Sequence, residues 1–249
     1  MKNIKNDQEI ELMTIAGKIC SEALNEVLKY VDSGVSCSQL DKVAHDFLEK
    51  RGATSSFMTI DDYKWTICTT INEQVVHGIP TDRALANGDI LGIDIGACYL
   101  GFHSDMARTV PIGEVSKSTK HFLEVGKITL VEAVDQARVG NTIGDISATI
   151  QKGVEGAGYS VVRSLTGHGI GRELHEKPFI PGFGKRGIGP AICENMVLAI
   201  EVIYTQGSPD VRLEKDGWTI ATVDESLGGL FEQTVAVTRD GPIVLTPYI

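Results

Sequence analysis

Asp94 and Asp105 stand eleven residues apart in the stretch GDILGIDIGACYLGFHSDMARTV, residues 88–110. Asp94 interrupts the apolar run Ile90, Leu91, Ile93 and Ile95, which otherwise reads as a buried strand. An ionised carboxylate buried there costs several kcal/mol unless something pairs with it. Two carboxylates held close together repel, and one takes up a proton. A bound cation removes both difficulties.

Other residues of the same kind follow. His168 lies in TGHGIG, residues 166–171, where the surrounding glycines allow close backbone approach and hold the ring at a loop. Glu201 interrupts the apolar run from Met196 to Tyr204, and Glu232 interrupts the run from Leu230 to Val237. Asp105 reads as the start of a strand. Any one of these carboxylates alone is more simply an edge charge or a salt-bridged core group. None of the 23 Lys and Arg residues falls in these runs, so partners other than metal are not obvious. Four carboxylates and one imidazole exceed the needs of a single ion. They fit two divalent ions bridged by carboxylates, four negative ligands balancing four positive charges. The oxygen-rich set favours manganese, iron or cobalt, with zinc retained as an alternative. Two such ions ~3.5–4 Å apart can share a water, lower its pKa and stabilise the oxyanion of amide hydrolysis. His77, in NEQVVHGIP, and His175, in GRELHEKP, both precede turn residues, where strands or loops open into a cleft. As non-ligand histidines they can hydrogen-bond a carbonyl or a developing oxyanion. His45 and His121 read as surface residues, and His103 as a packing residue.

The elements that must position these groups repeat. Residues 7–31 read as an amphipathic helix whose stripe includes Met13, Cys20, Leu24, Val27 and Leu28, with Asn6 and Glu9 as a capping box. Ser36 and Gln39 open a second helix that runs to about Lys50 and ends at Gly52. A shift of 106 residues carries Leu24, Val27 and Leu28 onto Leu130, Ala133 and Val134. The same shift carries Gly34 onto Gly140, the Ser36/Gln39 box onto Thr142/Asp145, and Gly52 onto Gly158. Strands are expected at about 66–71, 89–96 and 105–112, then at 159–166, 195–205, 217–223 and 230–238. The expected fold class is α+β, with helices over one face of a continuous sheet and the site on the other face, near a pseudo-twofold axis. No Pro/Ser-rich linker separates the halves, so we expect one catalytic domain over 1–249, with halves of about 1–115 and 116–249.

Composition sets limits. The chain has 249 residues, 42% of them hydrophobic, and a net charge of −10. That balance argues against nucleic acid or a membrane surface as the main partner, and no apolar run reaches the ~18–20 residues of a membrane span. The opening MKNIKNDQEI carries no apolar signal core, and the five scattered cysteines fit free thiols; both point to the cytoplasm.

Taken in order, NEQVVHGIP, Asp94 and Asp105, TGHGIGRELHEKP, AIEVIY and FEQT resemble the type I, bacterial-form methionine aminopeptidases of the pita-bread metallopeptidases. The likeness runs over essentially the whole chain, and the five-ligand pattern is highly specific. It implies a pseudo-twofold pita-bread fold, a curved antiparallel sheet covered by two pairs of helices. It also implies that Asp94 chelates one metal, that Asp105 and Glu232 bridge both, and that His168 and Glu201 complete the other site. Glu201 becomes a candidate base for the nucleophilic water, His175 a contact of the scissile carbonyl, and His77 a group near the amide being cut. The implied reaction removes the N-terminal methionine of nascent or short peptides whose second residue is small. The length fits type I, with no extra N-terminal domain of the prolidase kind. A monomer is expected, and ribosome association is an option for which no clear docking patch is visible.

The chain departs from the family pattern around the pocket that selects methionine. Tyr63 and Cys68 keep their places and Trp218 matches the pocket tryptophan. Ile60 stands where an aromatic is usual, Leu174 replaces a phenylalanine, and Gln233 replaces a histidine. Fewer aromatics mean fewer sulfur–aromatic contacts and a looser methionine preference. The alternatives are a pita-bread aminopeptidase of different N-terminal specificity, such as an Xaa-Pro enzyme, and a non-catalytic peptide-binding relative. The missing N-terminal domain disfavours the first. The intact ligand set disfavours the second.

Overall fold

The computed structural model describes residues 4–249. Helix α1 (Asp7–Leu28) starts at the expected capping box: Asn6 Oδ1 accepts from the Glu9 N–H and Glu9 Oε2 from the Asn6 N–H, both at 3.0 Å. It stops three residues before the expected end. Helix α2 (Cys37–Lys50) follows the Ser36/Gln39 box. The first half continues with strands β1 (Thr54–Ser55), β2 (Ile67–Ile71), β3 (Gln74–Val76), β4 (Ile90–Tyr99) and β5 (Phe102–Pro111). The second half holds α3 (Lys117–Val134), α4 (Ile143–Gly156), β6 (Ser160–Val161), β7 (Thr166–Gly169) and β8 (Glu176–Pro181). Strands β9 (Val197–Thr205), β10 (Val211–Leu213), β11 (Ile220–Thr222), β12 (Gly228–Thr238) and β13 (Gly241–Val244) complete it.

The 106-residue shift holds in three dimensions: it carries α2 onto α4 at both ends and β1 onto β6. The main sheet pairs in the order β4-β5-β12-β9, with β1 and β2 on the outer edge of β4 and β6 and β7 on that of β9. The two halves therefore meet along the β5–β12 seam. Strand β8 closes the far edge beyond β7, and β10, β11 and β3 form a small separate sheet. Side-chain alternation then sorts the two faces. Ile93, Ile95 and Met106 pack against α1 and α2 with Leu24, Val27 and Leu40. Leu198, Ile200 and Phe231 pack against α3 and α4 with Phe122, Leu130 and Ile146. Every residue next to one of these in the strand points away from the helices.

Four expectations need correction. Asp105 is not at a strand start: β4 and β5 join through Leu100 and Gly101, whose φ values of 49° and 81° make a two-residue hairpin turn, so β5 begins at Phe102. Leucine is an unusual residue there, and the turn carries no Asn-Gly signal. His168 is not in a loop but in β7, because the expected strand over 159–166 breaks into β6 and β7. The segment expected over 217–223 is the short β11 and joins the small sheet rather than the main one. Gln233 neighbours Glu232 in β12 and so faces the helices, where its Nε2 donates to Thr246 O at 3.2 Å. It has no place in the pocket.

Candidate metal centre and peptide cleft

Strand register lines up the chemistry. Cys68 pairs with Asp94, Asp94 with Ala107, Ala107 with Glu232, and Glu232 with Glu201, a single row across β2, β4, β5, β12 and β9. Asp105 lies two residues from Ala107 on the same face. His168 pairs with Ala199, two residues from Glu201, and its Nε2 lies 3.5 Å from Glu201 Oε1. Ligand atoms of Asp105, His168 and Glu232 all lie within 4.8 Å of one another.

Glycines make this approach possible. A Cβ on Gly96 would stand 2.6 Å from Ser56 Cβ and 3.1 Å from the Phe57 ring, so glycine lets the Ser56–Phe57 segment pack against β4. A Cβ on Gly167 would stand 2.6 Å from Ala199 O, and one on Gly169 2.5 Å from Lys177 O. These two glycines seat β7 tightly between β9 and β8.

The electrostatics of the protein alone are unfavourable. Asp105, Glu232 and His168 are no more than 4% exposed. Among the described residues, no Lys or Arg forms an ion pair with any of the four carboxylates. Burial first, and then mutual repulsion, pushes Asp105 and Glu232 well above the usual carboxylate range. Burial and the Asp94 charge do the same to Glu201. Burial raises Asp94 to about 7. His168 cannot supply the missing charge, since burial lowers its pKa to about 4. Its Nδ1–H donates to Gly169 O at 2.9 Å, which leaves the Nε2 lone pair facing the cluster. Asp94 Oδ1, Asp105 Oδ1 and Glu232 Oε1 are buried without any hydrogen-bond partner. Orphaned buried oxygens beside a neutral imidazole suit divalent cations and little else.

The five expected metal ligands together with Ile60, Tyr63, Cys68, His77, Leu174, His175 and Trp218 line one cavity of about 600 Å³, its open mouth included, and Gln233 does not. On one side are Ile60, Tyr63, Cys68, Leu174 and Trp218. On the other are the carboxylates with His77, His168 and His175. The sequence reading missed Phe57, which the tight turn after Ser56 brings into the cavity. Phe57 and Tyr63 meet edge-on at 6.3 Å and Tyr63 and Trp218 at 5.1 Å, so the pocket keeps an aromatic wall despite Ile60 and Leu174. The Tyr63 hydroxyl donates to Ile67 O at 2.9 Å and lies 3.1 Å from Cys68 Sγ. His175 stacks edge-on against His168 at 4.5 Å. Burial lowers the pKa of His175; His77 opens to solvent at the rim, yet enough protein surrounds its ring to lower its pKa too. His77 also holds a left-handed φ of 57°. His103 packs, as expected, 2.9 Å from Ser56 Oγ.

One support was not visible in the sequence. Lys5 Nζ and Glu176 Oε2 form an ion pair at 2.5 Å, with both side chains under 10% exposed. Glu176 Oε1 also accepts from the Arg172 and Glu173 N–H groups, so the pair ties the segment carrying His175 to the chain before α1. Lys5→Met leaves a buried carboxylate unpaired, which costs about 3–5 kcal/mol. In a chain of this size that is a fall in Tm of roughly 6–20 °C. Differential scanning calorimetry reads this directly, and a loss under 2 °C would show that the pair contributes little.

The model for metallopeptidase family M24 matches residues 11–239. The methionine aminopeptidase of Clostridium perfringens is 43% identical over 243 residues, covering 98% of both chains. That of Clostridium acetobutylicum is 45% identical over 244 residues, again covering 98% of both. Among solved structures, the methionine aminopeptidase of Thermotoga maritima superposes with a TM-score of 0.97 at 38% identity, covering 99% of each chain. The prolidase of Pyrococcus furiosus, at 24% identity and a TM-score of 0.80, shares the fold and is matched over 65% of its length. The chain has the curved, pseudo-twofold pita-bread fold, and it belongs to metallopeptidase family M24 and, within it, to the type I methionine aminopeptidases.

Proposed function

We infer that this chain is a metal-dependent hydrolase that removes the N-terminal methionine of peptides, preferring a small second residue. The observation that carries the reading is the row of unpaired carboxylates beside an aromatic pocket large enough for one apolar side chain. We assign Asp94, Asp105, His168, Glu201 and Glu232 as the residues that would hold two divalent ions. The donor set favours cobalt, manganese or iron, with zinc as the alternative. When bound, such ions supply a water of lowered pKa and positive charge for the developing oxyanion.

The protein's own residues do the rest. Phe57, Tyr63 and Trp218 receive the methionine side chain, with Cys68, Ile60 and Leu174 filling the walls. Glu201 takes the proton of the attacking water. His175, neutral at physiological pH, donates a hydrogen bond to the scissile carbonyl, and His77 holds the amide at the rim. The whole chain acts as one catalytic domain with the site at the β5–β12 seam. The cysteines form no disulfide among the described residues, which fits a cytoplasmic setting.

A matrix of metals against Met-, Leu- and Ala-led tripeptides tests the assignment: Met-Ala-Ser should be the best substrate with at least one of the four metals. Ile60 and Leu174 give the sulfur fewer ring contacts, so the ratio of Met to Leu cleavage should be modest. Ile60→Phe should raise that ratio roughly two- to tenfold, the value of one sulfur–aromatic contact. An unchanged ratio in kcat/KM would remove Ile60 from the selectivity determinants.

A further inference from the structure

A second cavity, about 630 Å³ with its open mouth, continues from the first. The two share His77, His168, His175 and Glu201. Its remaining lining is Val76, Leu165, Phe179 and Ile203 with the hydroxyls of Ser164 and Thr166. Glu201 at the shared floor is the only acidic or basic side chain other than the histidines, so nothing there selects for a charged group. Phe179 is 55% exposed, so its ring is open to a ligand in this cavity. It pairs directly with His168 across β7 and β8, so its ring stands next to the imidazole on the edge strand.

The path of a substrate follows, given the function proposed above. The first side chain fills the aromatic pocket and the cut bond lies over the carboxylates, so the rest of the peptide leaves on the opposite side, through the second cavity. From β7 to β8 is one strand spacing, ~4.8 Å. That exceeds the ~3.3–3.6 Å reach of one extended residue. The second residue therefore passes His77 and His175, and the third comes beside Phe179. We propose that Phe179, with Leu165 and Val76, forms a subsite that selects an apolar or aromatic side chain at the third residue of the substrate.

The test is kcat/KM for Met-Ala-Phe, Met-Ala-Leu, Met-Ala-Gly and Met-Ala-Asp with the metal-loaded protein. The Phe and Leu peptides should exceed the Gly peptide by about fivefold, the order expected from ~40 Å² of apolar contact. Phe179→Ala should bring that ratio within twofold of one, and Phe179→Leu should retain most of it. A wild-type ratio near one, or a ratio that survives Phe179→Ala, would overturn the subsite. Failure to cleave any of the four peptides would instead refute the methionine-removing function on which it rests.

Discussion

Glu201→Gln is expected to lower kcat for Met-Ala-Ser by about 10²–10⁴-fold, the usual contribution of a positioned general base. Glutamine keeps the shape and one oxygen but cannot take a proton. KM should move little, because the methionine pocket is built from Phe57, Tyr63 and Trp218, on the other side of the cavity. Stability provides a second readout. Glu201 sits directly opposite Glu232, and burial first, then the Asp94 charge, pushes its pKa up. Removing one of several crowded carboxylates should leave the metal-free protein at least as stable as wild type. A collapse of kcat with an unchanged or raised Tm separates lost chemistry from lost folding. Retention of more than a tenth of wild-type kcat at full metal loading would exclude Glu201 as the base.

Metal removal should make stability strongly dependent on pH, and in an unusual direction. Asp94 titrates at about 7 in the folded metal-free protein, and Asp105, Glu201 and Glu232 are also raised, against about 4 for unfolded carboxylates. At neutral pH the folded state therefore binds more protons than the unfolded chain. Stability from these groups is fully present below about pH 4 and is lost as pH rises from there to each folded value. For Asp94 that loss is complete once pH passes about 7, and any fall above 7 comes from Asp105, Glu201 and Glu232, which burial and the neighbouring carboxylates raise well above the usual range. The histidines act oppositely and lower down: His168, depressed to about 4, costs stability as pH falls below about 6.5. Between pH 7 and 9 the carboxylates decide the sign. The Tm of chelator-treated protein should fall across that window, by several degrees given about 2–4 °C per kcal/mol in a chain of this size. Saturating divalent metal should abolish the fall, since cations replace the protons, and should raise Tm more at pH 8.5 than at pH 7. Metal-free protein whose Tm is flat or rises from pH 7 to 9 would contradict a carboxylate cluster without internal counter-charge.

Much of this was readable one residue at a time. Asp94, Glu201 and Glu232 stand out as lone carboxylates in apolar runs, because burial makes a single charge in such a run costly. The caps at Asn6, Ser36 and Thr142 are local, so the helices and their repeat could be placed from short windows. What escaped depends on register. Strand pairing sets Asp94, Ala107, Glu232 and Glu201 in one row, and no single strand encodes its partner's offset. The same holds for Phe179 beside His168. Lys5 and Glu176 are 171 residues apart, beyond any local pattern. The hairpin at Leu100–Gly101 escapes because it lacks the usual turn residues, and the seating of His168 in β7 because the glycines of TGHGIG read as a loop. Gln233 was weighed with the pocket on its nearness to Glu232, whereas strand alternation sends neighbours to opposite faces.

The most direct measurement is release of free methionine from Met-Ala-Ser by protein stripped with chelator and then reloaded with cobalt, manganese, iron or zinc. Methionine and Ala-Ser should appear only after reloading, and N-acetylated Met-Ala-Ser should stay intact because the site cuts from a free N-terminus. Equal release in excess chelator, or no release with any of the four metals, would contradict metal-dependent methionine removal by this chain.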